Sequence, residues 1–226
     1  MRTKVTITME PDGHHEVAVV VDALRATSTM VTLLALGAEA VIPLSKPEDL
    51  KKVKDGVTVG EHHGEKIPFA DFGNSPTEII RNAERIEGQT VYMVTTNGTS
   101  AVRAADEVAD EVLIGSLLNL TGVSKAIDGK DALLLEAGHR GGLAVEDMYT
   151  AGAIAANTRN PEPTDPRSRA ALEMAKALDP YEVLAGSRTA HVLETKGKSE
   201  DVEFCSRVDE FPDVIGIYED GTVVRA

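Results

Sequence analysis

Residues 16–32 read EVAVVVDALRATSTMVT. The apolar run Val17–Val21 is too short for a helix and rich in β-branched valine, which fits a buried strand. Asp22 and Arg25 follow, then the hydroxyls of Thr27, Ser28 and Thr29, then Met30, Val31, Leu33 and Leu34 at helical spacing. A strand ending in an acid, an arginine and a hydroxyl cluster at a helix start is a common site geometry in open α/β sheets. Ligands there lie beyond the carboxyl ends of the strands, and free N–H groups at the helix N-terminus favour anions. The competing reading makes Thr27 or Ser28 a helix cap and Asp22 a turn closer.

The strand–loop–helix unit recurs on both sides of this stretch. Thr3–Met9 reads as a strand paired with Val17–Val21 through a turn at Pro11, Asp12 and Gly13. Downstream, Ala40–Leu44, Val57–Val59, Thr90–Val94, Glu111–Ile114 and Ala132–Leu135 read as strands separated by helical segments. Ser45 is a plausible cap for a small helix from Pro47, and Ser75 caps a helix from Pro76 to about Ile86. Val145–Ala156 is an amphipathic helix, and NPEPTDP at 160–166 reads as a loop or subdomain joint. Helical segments follow to about Val208, and Asp220-Gly221 turns a terminal hairpin. The expected fold is a three-layer α/β/α sandwich on a mostly parallel mixed sheet. It forms a single α/β domain over 1–226, with a helical subdomain or insertion at about 160–210.

Length and composition allow this. The chain has 226 residues, 42% of them hydrophobic and 27% charged, enough apolar content for a substantial core. A formal charge of −14 argues against a nucleic-acid binder and against docking on anionic lipid. No apolar run reaches membrane-spanning length, the N-terminus lacks a signal-peptide core, and Cys205 stands alone, which together fit a reducing cytoplasm. A symmetric homodimer is the ordinary expectation for oligomeric state.

Five polar loops each follow a strand: DALRATST, GEHHGEKIPFADFGNSP, TTNGTS, GSLLN and EAGHRGGLAVED. In a parallel sheet they gather along one edge. The acids available there are Asp22, Glu61, Asp71, Glu136, Glu146 and Asp147, and carboxylates suit Mg²⁺, which binds one or two of them with water and substrate phosphate. Each acid taken alone reads equally as a solvated loop residue. His62 and His63 point apart in extended backbone and lack zinc spacing. Thr95, Thr96, Asn97, Gly98 and Thr99 offer donors for an oxyanion, or an ordinary capped Asn-Gly turn. Gly138, Gly141 and Gly142 permit close backbone approach, while His139 and Arg140 can bind or protonate a ligand. Arg25, Arg140 and Arg188 are candidates for fork-like contacts to phosphate or sulfonate. No P-loop, dinucleotide fingerprint, cysteine-phosphatase, aspartyl-phosphatase or histidine-phosphatase signature is present, and Cys205 reads as a structural residue.

With these loops assembled, the chain resembles the 2-phosphosulfolactate phosphatase family of coenzyme M biosynthesis. The matching segments are VVVDALRATSTMVT, GNSP at 73–76, TTNGTSA from 95, GSLLNL from 115, ED followed by TAGAI, and EDVEFCSRVDEF. They span nearly the whole chain in order. GEHHGEK and EAGHRGG depart from the family pattern, the first carrying histidines where the family has an arginine after the glutamate. The resemblance implies an α/β/α fold and Mg²⁺-dependent hydrolysis of 2-phospho-3-sulfolactate to 3-sulfolactate and phosphate. On this reading Asp22, Arg25 and Asp147 are catalytic, and Asp22, Asp147 and Glu61 hold the metal. Thr27, Ser28, Thr29, Asn74, Ser75, Asn97, Gly98, Thr99, Arg140 and Arg188 bind the small anionic substrate. Water attack and a covalent Asp22 intermediate both stay open, as do Mn²⁺ in place of Mg²⁺ and another phosphorylated hydroxy acid as substrate. The rival classes are a non-catalytic anion-binding module and a metal-assisted lyase or isomerase.

Overall fold

A computed structural model describes residues 2–139 and 141–226. The chain opens with β1 (Thr3–Thr8) and β2 (Val17–Val21), then α1 (Ala26–Ala35), β3 (Ala40–Pro43) and α2 (Pro47–Leu50). It continues through β4 (Val57–His62), β5 (Glu65–Lys66), α3 (Pro76–Ile80), β6 (Thr90–Val94), α4 (Gly98–Asp106) and β7 (Val112–Gly115). Next come α5 (Leu120–Ala126), β8 (Asp131–Glu136), α6 (Val145–Ala156) and β9 (Pro161–Pro163). A run of helices, α7 (Pro166–Ala177), α8 (Pro180–Ala185), α9 (Arg188–Thr195) and α10 (Ser199–Cys205), leads into the hairpin β10 (Gly216–Glu219) and β11 (Thr222–Arg225).

All described strands belong to one sheet, ordered β5-β4-β6-β3-β11-β10-β7-β2-β8-β1-β9. β2 is central, paired in parallel with β7 and β8, and all five of its residues are buried. Its alternate residues feed two cores. Ala18 and Val20 pack with Met30, Leu33 and Leu34 of α1 and Val102 of α4, whereas Val17, Val19 and Val21 pack with Ile154 of α6 and Leu172 of α7. That alternation is what makes three layers from one valine run. Each fully buried aliphatic side chain contributes about 1.5–3 kcal/mol of transfer free energy. α7 to α10 add Ala171, Leu184, Leu193 and Val202 to the second core. Among the described residues no helix is long and apolar enough to cross a membrane.

The sheet differs from the sequence reading in two places, and its terminal hairpin takes a position that reading left open. β1 and β2 do not pair, because β8 lies between them and is parallel to both. The prolines of 161–166 do not simply break the chain. β9 adds to the outer edge of β1, where a missing N–H costs no ladder bond. The terminal hairpin turns at Asp220-Gly221 with both residues at positive φ, 48° and 83°, as a tight turn requires. It does not sit at an edge. β10 pairs antiparallel with β7, and β11 pairs antiparallel with β3. Three successive antiparallel steps therefore splice two parallel blocks, β4-β6-β3 and β7-β2-β8-β1-β9, that run in opposite senses along the ladder.

Two helix caps sort differently. Ser75 accepts from the Glu78 N–H and starts α3 as expected, although α3 stops at Ile80. Ser45 caps nothing; Lys46 precedes α2 without a side-chain bond.

Candidate active site

Despite the opposed senses of the two blocks, their carboxyl ends meet. Loops after β2, β4, β6 and β8 line one cavity of about 120 Å³, and Asn97 after β6 donates to the Gly138 carbonyl after β8 at 2.9 Å. The expectation of a single parallel edge is thus replaced by two edges turned inward. GSLLN, the fifth polar loop, is not part of it. Ser116 and Asn119 cap each other, and Asn119 also donates to the Ile114 and Val214 carbonyls.

Four carboxylates line the cavity: Asp22, Glu61, Glu146 and Asp147. Asp22 is held at the mouth of α1 by the Ala26 N–H on Oδ1 (3.1 Å), and Oδ2 has no partner among the described residues. Burial raises its pKa to about 7; the Ala26 N–H opposes this, and the charges of Glu61 and Glu146 add to it. Asp147, in the first turn of α6, accepts the Ala23 N–H (2.8 Å) and the Gly138 N–H (3.0 Å) and so ties the β2–α1 loop to the β8–α6 loop. Its pKa is pushed well up by burial and then by Asp22 and Glu146, against those two N–H groups. Glu61 accepts the Thr96 N–H at 3.1 Å, the Thr96 hydroxyl and the Gly64 N–H. Glu146 is 3% exposed and makes no hydrogen bond among the described residues.

Two guanidinium groups face these acids. Arg25 is 5% exposed, and its Nη1 is bonded to Asp201 of α10. Arg188, at the start of α9, is exposed and unpaired among the described residues, and Thr189, Val192 and Leu193 complete that wall. Asn74 is also in the cavity, its Oδ1 buried without a partner. His63 and His139 line it as well, the latter with Nδ1 3.4 Å from the Thr189 hydroxyl. His63 takes a positive φ of 52°, so its ring sits 4.1 Å from that of His62 rather than pointing away.

Of the residues expected from sequence, Asp22, Arg25, Glu61, Asn74, Asn97, Asp147 and Arg188 come together here. The hydroxyl cluster does not. α1 begins at Ala26, earlier than expected, and nine of its ten residues are buried. The Thr27 hydroxyl is spent on the Asp22 backbone and that of Ser28 on the Ala23 carbonyl, while Thr29 is buried without a partner. Ser75 donates to Asp201 and Thr99 to the Thr95 carbonyl. Gly98 serves packing: a Cβ there would stand 2.3 Å from the Ala26 Cβ and 2.9 Å from Asp22 Oδ2. Asp71 binds Thr58 and Arg85, and Glu136 pairs with Arg167, both away from the cavity. Arg140 lies outside the described residues. The α9 wall was missed beyond Arg188, because Thr189, Val192 and Leu193 read as an ordinary amphipathic face.

Four carboxyl groups share the cavity with two arginines, and burial with mutual repulsion holds Asp22 and Asp147 back from ionising, a cost that a bound cation relieves. The free Oδ2 of Asp22 is an oxygen donor of the kind Mg²⁺ takes, and Asp147 and Glu61 stand in the same cavity. The residues fit such an ion. Among the described residues no three His, Cys, Asp or Glu side chains converge closely enough to form a metal cage by themselves. A site built from one or two carboxylates with water and substrate does not need one.

An α/β/α sandwich with a carboxylate- and arginine-lined cavity at the strand carboxyl ends belongs to the class of proteins that bind small anionic ligands. The particular family is set by comparison. The family model for 2-phosphosulpholactate phosphatase matches residues 5–221. A probable 2-phosphosulfolactate phosphatase of Thermotoga petrophila is 39% identical over 202 residues, 87% of each chain. The 2-phosphosulfolactate phosphatase of Methanocaldococcus jannaschii is 36% identical over 209 residues, 90% of this chain and 89% of that one. A probable 2-phosphosulfolactate phosphatase of Caldanaerobacter subterraneus is 36% identical over 217 residues, covering 91% and 88%. The chain belongs to the 2-phosphosulfolactate phosphatase family.

Proposed function

We propose that this protein hydrolyses 2-phospho-3-sulfolactate to 3-sulfolactate and inorganic phosphate, assisted by Mg²⁺ at Asp22 and Asp147 with Glu61 beside them. The observation that carries the reading is the pairing, in one cavity, of a surplus of carboxylates with two guanidinium groups. The carboxylates call for a cation and the guanidinium groups for an anion with more than one charged end. When bound, Mg²⁺ supplies neutralisation of phosphoryl oxygens and acidifies water.

The chain's own groups do the rest. Arg25 and the Asn97 amide side orient the phosphoryl group, so catalysis rests on positioning and on charge stabilisation. A water oxygen attacks phosphorus as the ester P–O bond breaks. The free carboxylate of Glu146 accepts the water proton, and His139 protonates the leaving oxygen. Arg188 holds the sulfonate or carboxylate at the cavity mouth. A covalent route is the second reading, favoured by one observation: Asp22 has one oxygen held and the other free. Loss of turnover in Asp22→Asn with Mg²⁺ affinity intact would favour it.

The test is inorganic phosphate release from 2-phospho-3-sulfolactate with Mg²⁺, with Mn²⁺ and with chelator, beside phospholactate and phosphoglycolate. Metal-dependent release preferring the sulfonated substrate supports the whole reading. Equal release from all three keeps the phosphatase and removes this substrate. No release from any, with clean metal binding, leaves an anion-binding module.

A further inference from the structure

Asp201 lies in the first turn of α10, far in sequence from the loops that line the cavity, and is fully buried. Its two oxygens divide their work. Oδ1 accepts the Ser75 hydroxyl (2.8 Å), the Thr77 hydroxyl (2.6 Å) and the Thr77 N–H (3.2 Å), all from the start of α3. Oδ2 is left to Nη1 of Arg25. With three donors on one oxygen the carboxylate cannot rotate, so the remaining oxygen aims at one point. No other acceptor among the described residues takes an Arg25 side-chain N–H, and a guanidinium carries five.

The competition for Arg25 makes this arrangement consequential. Asp22, Glu61, Glu146 and Asp147 line the same cavity as Arg25. Left to itself, the guanidinium would fold onto one of these acids. It would then neutralise a group the chemistry needs and turn its own donors away from a phosphoryl oxygen. A buried, pre-oriented carboxylate on the far side holds it back. The same residue holds Ser75, whose neighbour Asn74 presents an unpartnered oxygen to the cavity.

We infer that Asp201 is a positioning residue: with its own carboxylate fixed by Ser75 and Thr77, it holds the Arg25 guanidinium in the geometry that receives the phosphoryl group. The inference rests on the phosphatase reading for its kinetic readout and on anion binding for an independent one.

A double-mutant cycle tests it. Asp201→Asn keeps the size of the side chain but sets an amide or a neutral oxygen against Arg25, and kcat/KM falls by about 10²-fold, the scale of a misplaced reacting group. In an Arg25→Ala background the same substitution has an effect within about twofold, because the residue acts through Arg25. Thr77→Val is the gentler variant and carries the cycle if Asp201→Asn fails to unfold cooperatively by circular dichroism. It lowers kcat/KM about 3- to 10-fold in the wild-type background and not in Arg25→Ala. Losses that multiply across the cycle, or wild-type activity in Asp201→Asn, overturn the inference. The cycle is repeated by calorimetry with inorganic phosphate and Mg²⁺. If the wild type binds phosphate but releases none from the ester, the phosphatase reading falls and phosphate affinities still decide the role of Asp201. Failure to bind phosphate overturns both.

Discussion

The cavity has two unlike walls. On the sheet side, Asp22 follows β2, Glu61 stands near the end of β4 and Asp147 in the first turn of α6, and each carboxylate is fixed by backbone N–H donors. On the helix side, α9 presents an exposed Arg188 with no partner among the described residues, beside Thr189, Val192 and Leu193. One wall is over-determined and the other is free to adapt. The difference teaches a division of labour: groups that meet the reacting phosphorus must be held before substrate arrives, whereas groups that read the rest of the molecule tolerate rotamer choice.

The sharpest way to break that division is at Asp22. Asp22→Asn keeps an acceptor for the Ala26 N–H but removes the charge, and kcat falls on the order of 10³-fold. KM for the substrate moves little. Steady-state phosphate release measures both. A fall in KM-dependent terms alone would place Asp22 with the reading wall instead.

Arg188→Ala addresses the other side. Loss of a charge-assisted contact worth about 1.5–3 kcal/mol raises KM for the sulfonated substrate about 10- to 100-fold, with kcat nearly unchanged. Phosphoglycolate, which lacks the sulfonate, shows a smaller change. If kcat falls as far as in Asp22→Asn, the two walls are not separate in function.

Gly98→Ala probes how tightly the first wall is built. The added Cβ meets Ala26 at 2.3 Å and Asp22 Oδ2 at 2.9 Å, so α4 must move off α1. The expected destabilisation is about 1–3 kcal/mol, read as a shift in urea midpoint, with activity reduced more than stability suggests. Full activity would mean that Asp22 tolerates displacement.

The two walls also differ in how far the sequence disclosed them. Val17–Val21, the Ser75 cap, the Asp220-Gly221 turn and Val145–Ala156 were legible because each is decided by neighbours in the chain. The acids of the first wall were legible for a related reason: they follow strands, and strand ends converge. The hydroxyls of Thr27, Ser28 and Thr29 misled, since nothing local says that α1 is packed on nearly every side. The separation of β1 from β2 and the central place of β10–β11 depend on pairings with distant strands. Asp201 was invisible for the same reason, reading as one more acid near a helix start. What escaped is in each case set by long-range packing.

Cys205 gives the smallest effect and marks where the two walls join. It follows Asp201 by one helical turn on α10, is 1% exposed, and packs in the core shared by α6, α8 and α9. Burial first, and then the charge of Asp201, push its thiol up to about 12, against the opposing influence of Ser28 and the Arg25 charge. A thiol that neutral cannot serve as a nucleophile at working pH, so Cys205→Ala leaves kcat/KM unchanged. The lost packing costs about 1 kcal/mol at pH 8. The pH dependence has a defined sign. Because the folded pKa lies above the unfolded value of 9.0, the fold binds the proton more tightly between those limits. Wild-type stability from this group is therefore complete below pH 9 and erodes as pH rises toward 12. The stability gap between wild type and Cys205→Ala narrows over the accessible part of that window, which urea unfolding at pH 8 and pH 10 measures. A constant gap would mean that the thiol is solvated, and so that α10 stands open between the walls instead of closing them.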